Sequence, residues 1–202
     1  PDHPKVDLIT TDGFLLPNRE LEARGLMDRK GFPESFDTAR LINFLADVKS
    51  GKGRIEAPVY SHFHYDIMPG QMMLIERPDI LIVEGLNVLQ PVTLERGSVS
   101  EPFVSDFIDF SIFIDADPEI IQTWYVERFM RLRSTAFRDP AAFFHRYVTL
   151  THDNAIARSL EIWRNINLKN LIENILPTRP RARLILRKGE DHSVSTVALR
   201  KV

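Results

Sequence analysis

The chain has 202 residues, a hydrophobic content of 44% and a formal net charge of −2 from 26 basic and 28 acidic side chains. A chain of this length buries a sizeable core, so we expect one domain over residues 1–202 and exclude a disordered or fibrous protein. The near-neutral charge, the complete lack of cysteine and the absence of an apolar run of roughly 20 residues predict a cytoplasmic protein that binds neither nucleic acid nor a membrane.

The first predicted strand ends in an acid. Residues 6–9 (VDLI) are apolar except for Asp7 and include the β-branched Val6 and Ile9, and the segment TTDG (10–13) follows directly. Ligands of open α/β sheets bind just beyond the carboxyl ends of the strands, which makes Asp12 a candidate catalytic carboxylate. The alternative is that Asp12 only shapes the turn after the strand.

A helix is predicted between Asp37 and Gly51. Asp37 is a suitable N-cap, Gly51 suits the C-terminal end, and the positions between them carry an apolar face. That face consists of Leu41, Phe44, Leu45 and Val48. We interpret this helix as scaffold.

Tyrosine and histidine are concentrated in the segment YSHFHYD, residues 60–66, after a short strand predicted over 55–60. The hydrogen-bonding aromatic side chains of Tyr60, His62 and Tyr65 suit a pocket for a polar ligand. Two alternatives are a metal site built on the histidines and a surface loop whose tyrosines pack against the protein.

A second apolar strand, predicted over 79–84, also ends in an acid. Glu84, followed by Gly85, has the placement of a Walker B carboxylate that holds Mg²⁺ directly or through water. Apolar runs that end in Glu-Gly are common, so this pattern is a modest signal by itself. A third apolar run at 109–116 completes a pattern typical of an α/β protein, with a parallel sheet and helices on both faces.

Asp117 and Pro118 are a strong helix start. The apolar arc of the helix that follows contains Ile120, Ile121, Trp124, Tyr125, Phe129 and Leu132, and Arg128 falls in its middle. A guanidinium on an apolar face needs an anionic partner, so we expect Arg128 to contact phosphate; the alternative is a buried ion pair. Tyr125 is either a core residue or a ligand contact.

The last third of the chain predicts one more helix and a hairpin. Ile156, Leu160 and Trp163 form a helical stripe that Asn167 continues, so the Asn167 amide should face inward and needs partners from backbone or substrate. Two strands, at 181–188 and 195–201, follow.

Seven segments, in order along nearly the whole chain, carry a further signal. They are TTDGF (10–14), KGFPES (30–35), APVYSHFHYD (57–66), DILIVEGLNVLQ (79–90), VSDFIDFSIFIDA (104–116), WYVERF (124–129) and NILPTRPRA (174–182). Together they closely resemble bacterial type I pantothenate kinases. The resemblance implies a P-loop kinase fold and phosphorylation of pantothenate to 4′-phosphopantothenate with ATP and Mg²⁺, the first step of coenzyme A biosynthesis.

The same resemblance implies roles for individual residues and further partners. Asp12 matches the catalytic base, Glu84 the acid near the metal, and Arg128 a catalytic arginine that contacts the nucleotide phosphates. Pantothenate is held in the family by residues that match Tyr60, His62, Tyr65, Tyr125 and Asn167. Family members are homodimers with coenzyme A as feedback inhibitor.

The sequence departs from the family at one motif. The phosphate loop G-x-x-x-x-G-K-[ST] does not occur in it, and the chain begins at Pro1, shortly before its first strand. We therefore expect the C-terminal part of a longer kinase, with a fold incomplete at the N-terminus and inactive without the loop. The alternatives are a P-loop kinase of the uridine kinase or phosphoribulokinase kind and a non-catalytic fragment that binds pantothenate or coenzyme A.

Overall fold

The computed structural model describes residues 3–91 and 102–201, and the chain divides into two compact units. The first unit comprises 1–61 and 66–109, and the second comprises 62–65 and 110–202. The strands are β1 (Val6–Thr10), β2 (Ile55–Ser61), β3 (Asp66–Ile75), β4 (Ile80–Glu84), β5 (Ile112–Asp115), β6 (Leu184–Lys188) and β7 (Val194–Leu199). The helices are α1 (Asn18–Ala23), α2 (Thr38–Lys49), α3 (Pro118–Ser134), α4 (His152–Ile162) and the single turn α5 (Leu168–Asn170).

In the first unit β1 and β4 are parallel neighbours. Their register runs from the pair Val6 and Ile80 to the pair Thr10 and Glu84, so both strands end at the same edge. Their inner side chains pack with α2 and the β2–β3 hairpin around one core. The buried members are Ile9, Phe14, Leu41, Phe44, Leu45, Ile55, Ala57, Ile75 and Val104. The predicted acid-terminated strands therefore meet, as the α/β pattern requires.

Helix α2 confirms the signals at both of its ends. The Asp37 carboxylate accepts a hydrogen bond from the backbone N–H of Arg40 at 3.0 Å, which satisfies one of the unpaired N–H groups of the first turn. The helix ends at Lys49, and Gly51 adopts a φ of 75°, a left-handed conformation that glycine accepts without steric cost. The predicted cap residues thus fix where this scaffold helix starts and stops.

The β2–β3 hairpin is the main feature that the sequence did not predict. β2 pairs antiparallel with β3, with a shift of register between Pro58 and Tyr60. β3 contains Pro69 and Gly70, which are typical of turns, yet it runs for ten residues. The segment 60–66 is therefore not one loop, because only 62–65 form the turn between the strands.

In the second unit β6 lies between β5, to which it is parallel, and β7, to which it is antiparallel. The predicted hairpin at the end of the chain is confirmed. Helix α3 starts at Pro118 as predicted, although the Asp117 carboxylate contacts Arg187 at 2.6 Å and makes no side-chain hydrogen bond to the helix. Parallel strand pairs in both units, with helices between them in sequence, confirm the α/β fold class.

The helix that begins as α4 changes its winding. It continues as a π-helical turn over Trp163–Asn167, passes through α5, and forms a second π-helical turn over Leu171–Ile175. Such π-helical turns are frequent at functional sites. Within the described ranges, none of the helices is long and apolar enough to cross a membrane.

Candidate active site

Asp12 lies in a tightly packed turn directly after β1. Residues Thr11–Phe14 form one 3₁₀ turn, which Leu15 closes by donating its N–H to the Asp12 carbonyl at 3.1 Å. The backbone of this turn lies against β2, because a Cβ atom at Gly13 would lie 2.2 Å from the carbonyl oxygen of Pro58. The close approach fixes the Asp12 backbone at the carboxyl end of its strand.

Lys30 is a buried cation beside the Asp12 carboxylate. Its side chain is 8% exposed, and its ammonium lies 5.0 Å from the centre of the Tyr60 ring. Burial lowers the pKa of Lys30 from 10.5 to about 8, while the negative charges of Asp66 and Asp12 oppose that shift. Lys30 therefore carries its charge at pH 7, between two carboxylates and an aromatic ring.

The sequence interpretation did not select Lys30 as a site residue. A lone lysine before Gly31 is typical of a solvated basic loop, and lysine is almost never fully buried without a partner. The signal was present in the resemblance, because Lys30 opens the KGFPES segment. Its burial depends on residues from other elements and could not be predicted from periodicity.

Glu84 lies at the end of β4, opposite Thr10 of β1, and its side chain is exposed. Gly85 follows because there is no space for a side chain: a Cβ atom there would lie 1.8 Å from the Thr11 hydroxyl oxygen. The Gly85 backbone is thus packed against the Thr11 side chain at the end of β1, and the Glu84 side chain is exposed. This placement makes Glu84 accessible to a ligand at the carboxyl edge of the strands.

The donor set around Glu84 fits Mg²⁺. Magnesium in kinases is typically held by one or two carboxylates, with phosphate and water completing six oxygen ligands. Residues 3–91 and 102–201 contain no cluster of three or more His, Asp or Glu side chains that could hold a metal by themselves. A single accessible carboxylate suits an ion that arrives with its nucleotide, and the alternative of a metal bound by His62 and His64 gains no support.

Tyr125 and Asn167 meet in the second unit. The Asn167 side chain hydrogen-bonds to the Tyr125 hydroxyl, and burial, the larger effect, raises the pKa of that hydroxyl. The Tyr125 ring packs on Trp163, with 5.8 Å between ring centres. Asn167 faces inward as predicted, at the end of the first π-helical turn. Tyr125 is neutral at pH 7 and offers both a donor and an acceptor.

Tyr65 is anchored at the tip of the β2–β3 hairpin. Its ring stacks on Phe143 and meets the edge of Phe144, both at 4.8 Å between ring centres, and the Phe143 N–H donates to the carbonyl of Phe63 at 3.0 Å. Tyr65 has a φ of 55°, a left-handed conformation that is uncommon for a bulky side chain. His62, in the same turn, is exposed.

Arg128 differs from its predicted environment. Its side chain is exposed on α3, one turn after Tyr125, although helical periodicity placed it in the middle of the apolar arc. The alternative of a buried ion pair is therefore wrong. An exposed guanidinium keeps its bidentate donors accessible to an anionic ligand.

The chain is similar to known kinases in sequence and in fold. The profile of the Phosphoribulokinase / Uridine kinase family matches residues 20–157. A protein of Parvibaculum lavamentivorans named "Pantothenate kinase" is 63% identical over 202 residues, which are 100% of this chain and 62% of that protein. D-glycerate 3-kinase from Cryptococcus neoformans superimposes with a TM-score of 0.60 at 13% identity, over 98% of this chain and 80% of that one.

Phosphoribulokinase from Rhodobacter spheroides superimposes with a TM-score of 0.51 at 14% identity, over 98% of this chain and 71% of that one. These likenesses confirm the predicted kinase-like α/β fold. The chain spans 62% to 63% of the length of the curated relatives it matches. Because the family profile covers more than half of the chain, the chain belongs to the phosphoribulokinase/uridine kinase family.

Proposed function

We propose that this chain supplies the catalytic base and the pantothenate contacts of an ATP-dependent pantothenate kinase. The observation that carries the proposal is the placement of Asp12 at the carboxyl end of β1, beside the buried Lys30 ammonium, in a chain 63% identical to a protein of that name. A strand-end carboxylate next to a fixed cation suits phosphoryl transfer, because catalysis of this reaction depends mainly on positioning the reactants and on stabilising phosphate charge.

The proposed reaction begins at the primary hydroxyl of pantothenate. Asp12 accepts the proton of that hydroxyl while its oxygen forms a bond to the γ-phosphorus of ATP, and the bond between that phosphorus and the bridging oxygen breaks. The products are 4′-phosphopantothenate and ADP. Glu84 would hold Mg²⁺, which would neutralise phosphate charge when bound with the nucleotide. Lys30 and Arg128 add positive charge from the protein.

The proposed pantothenate contacts are Tyr60, His62, Tyr65, Tyr125 and Asn167. Support comes from their hydrogen-bonding capacity and from the fixed geometry of two of them. The Tyr125 hydroxyl and the Asn167 amide are already oriented by one another, so neither has to be ordered when a polar ligand arrives. The Tyr65 ring is held on two phenylalanines.

The remaining proposals concern the setting of the enzyme. We propose that it forms a homodimer in the cytoplasm, is inhibited by coenzyme A, and works as one kinase domain that includes residues 1–202. Support for the substrate comes from the names of the relatives. Support for the inhibitor and for the dimer comes from the resemblance of the seven segments.

The test of the proposed function is ADP release, with ATP and Mg²⁺, by a purified protein that contains residues 1–202 together with the phosphate loop that this sequence lacks. Pantothenate, uridine and ribulose 5-phosphate are compared as acceptors, because the matched family is named for phosphoribulokinase and uridine kinase and the relatives are named pantothenate kinase. We expect turnover with pantothenate alone. Turnover with uridine or ribulose 5-phosphate instead would overturn the substrate assignment, and binding of pantothenate or coenzyme A without ADP release would support a non-catalytic fragment.

Changing Tyr125 to Phe should weaken pantothenate binding. The substitution keeps the ring on Trp163 but removes the hydroxyl that pairs with Asn167, so a ligand loses one preorganised hydrogen-bonding group. A hydrogen bond of this kind contributes about 0.5–1.5 kcal/mol, which predicts a Kd for pantothenate raised by about 2- to 12-fold in calorimetric titration.

The matched control is Tyr147→Phe. Tyr147 is a buried tyrosine of the same unit whose side chain pairs with Arg158 rather than with Asn167. We expect this control to leave the Kd within twofold of the parent value. Equal affinity of both variants for pantothenate would contradict the role of the Tyr125 hydroxyl.

A further inference from the structure

The Lys30 ammonium is held by a polar frame drawn from two other elements. Its Nζ donates to the Asn18 side-chain oxygen at 2.6 Å, and Asn18 is the first residue of α1. The Asp66 carboxylate, at the start of β3, accepts the backbone N–H of the same Asn18 at 2.9 Å and that of Ile67 at 2.8 Å. Asn18 therefore joins the carboxylate to the ammonium.

We propose that Asp66 and Asn18 are positioning residues that hold Lys30 in its charged form beside Asp12. The inference deepens the proposed function and rests on it for its catalytic meaning. The arrangement itself concerns only residues within the first unit and can be tested without any substrate.

The charge balance explains why a frame is needed. A lysine that is 8% exposed pays a large desolvation cost, and a lysine without a partner in such a place would lose its proton near neutral pH. Two carboxylates, of Asp66 and Asp12, face this ammonium, together with the Asn18 amide and the Tyr60 ring. The opposing charges leave the pKa of Lys30 at about 8, above neutral pH.

Asp66 is better suited than Asp12 to be the permanent partner. Two backbone N–H groups fix its Oδ1 atom, so its orientation does not depend on a ligand. Asp12, the proposed base, gains a proton during the reaction and loses its negative charge at that moment. Lys30 then depends on Asp66 and Asn18 to remain charged while phosphate charge develops nearby.

The arrangement of Asn18 and Asp66 around Lys30 predicts that two substitutions shift the pKa of Lys30 in opposite directions. Asp66→Asn keeps an oxygen for the two backbone N–H groups but removes the negative charge, so the pKa of Lys30 should fall by about one unit. Asn18→Asp adds a carboxylate within 2.6 Å of the ammonium and should raise the pKa by a similar amount. The double variant exchanges the charge between the two positions and should return the pKa toward that of the parent.

The test is a pH titration of the lysine ¹³Cε signals by NMR on the ligand-free protein, with Lys30→Arg used to assign the signal. Asp37→Asn is the matched control, because Asp37 also accepts a backbone N–H but caps α2. We expect no change of the Lys30 pKa in this control. A pKa that is equal in the parent, Asp66→Asn and Asn18→Asp would overturn the inference, and so would shifts of the same sign in both variants.

A second measurement separates this inference from the proposed function. If the protein phosphorylates pantothenate, the alkaline limb of kcat against pH should follow the Lys30 titration, moving down in Asp66→Asn and up in Asn18→Asp. NMR shifts as expected, in a protein that carries the phosphate loop and still releases no ADP with pantothenate, would keep the inference on charge and overturn the proposed function. The alkaline limb of kcat could stay at the same pH in all variants although the NMR titrations shift. That result would overturn the inference that the charge of Lys30, held by Asp66 and Asn18, matters for catalysis.

Discussion

Asp12→Asn should lower kcat for pantothenate phosphorylation by about 10²- to 10⁴-fold, the range that a general base typically contributes. The amide keeps the size of the carboxylate and the hydrogen bonds of the turn, so the fold should remain intact, but it cannot take the proton of the attacking hydroxyl. Pantothenate affinity should stay within about threefold of the parent value, because the substitution leaves the proposed binding residues in place. ADP release and calorimetric titration measure the two quantities separately.

The control for this experiment is Asp28→Asn, which removes one negative charge from an exposed turn of the same unit. It should leave kcat and affinity unchanged. Near-normal turnover in Asp12→Asn would mean that Asp12 is a turn residue and that the substrate hydroxyl loses its proton elsewhere. A large loss of affinity with little change in kcat would instead make Asp12 a binding residue.

The elements that the sequence predicted correctly are those with local signals. Asp37 and Gly51 bracket α2, and the Asp117–Pro118 pair starts α3, since a cap or a fixed φ acts on the residues next to it. The apolar runs that became β1 and β4 were predicted for the same reason, because a short run rich in β-branched and apolar side chains favours a strand by its own composition. Local chemistry of this kind needs no knowledge of the rest of the chain.

Strand β3 could not be predicted in that way. Its Pro69 and Gly70 are turn-forming residues, and only pairing with β2 outweighs their local preference. The predicted environment of Arg128 was wrong for a related reason. Helical periodicity predicts which side chains share the apolar face of a helix. How much of that face is buried depends on the elements packed against the helix, and on α3 the buried part does not reach Arg128.

The candidate site was predictable as a set of residues but not as a set of contacts. The resemblance selected Tyr125 and Asn167 from distant parts of the chain, and the structure adds that their side chains hydrogen-bond to each other. It selected Asp12 but not the buried Lys30 beside it, whose burial depends on Asn18 from α1 and Asp66 from β3. Charge pairing between separate elements is a tertiary property that a local pattern does not record.

Gly13→Ala should be strongly destabilising although it adds a single methyl group. The new Cβ would lie 2.2 Å from the Pro58 carbonyl oxygen. The position of a Cβ is set by its own backbone and the oxygen belongs to the backbone, so no side-chain rotation can relieve the contact. Overpacking of this kind costs about 1–3 kcal/mol and occasionally more, which we expect as a lower free energy of unfolding in urea titrations. Because relief requires the Asp12 turn to move away from β2, kcat should also fall, by about 100-fold for a displacement of about 1 Å.

Gly53→Ala provides the matched comparison. A Cβ atom at Gly53 would meet the Arg77 guanidinium at 3.3 Å, but that group is the end of a flexible side chain and can shift. Its unfolding free energy should stay within about 0.5 kcal/mol of the parent value, with normal kcat. Similar small losses of stability in both variants would mean that the turn after β1 yields easily, and a fixed placement of Asp12 could then not be the basis of its reactivity.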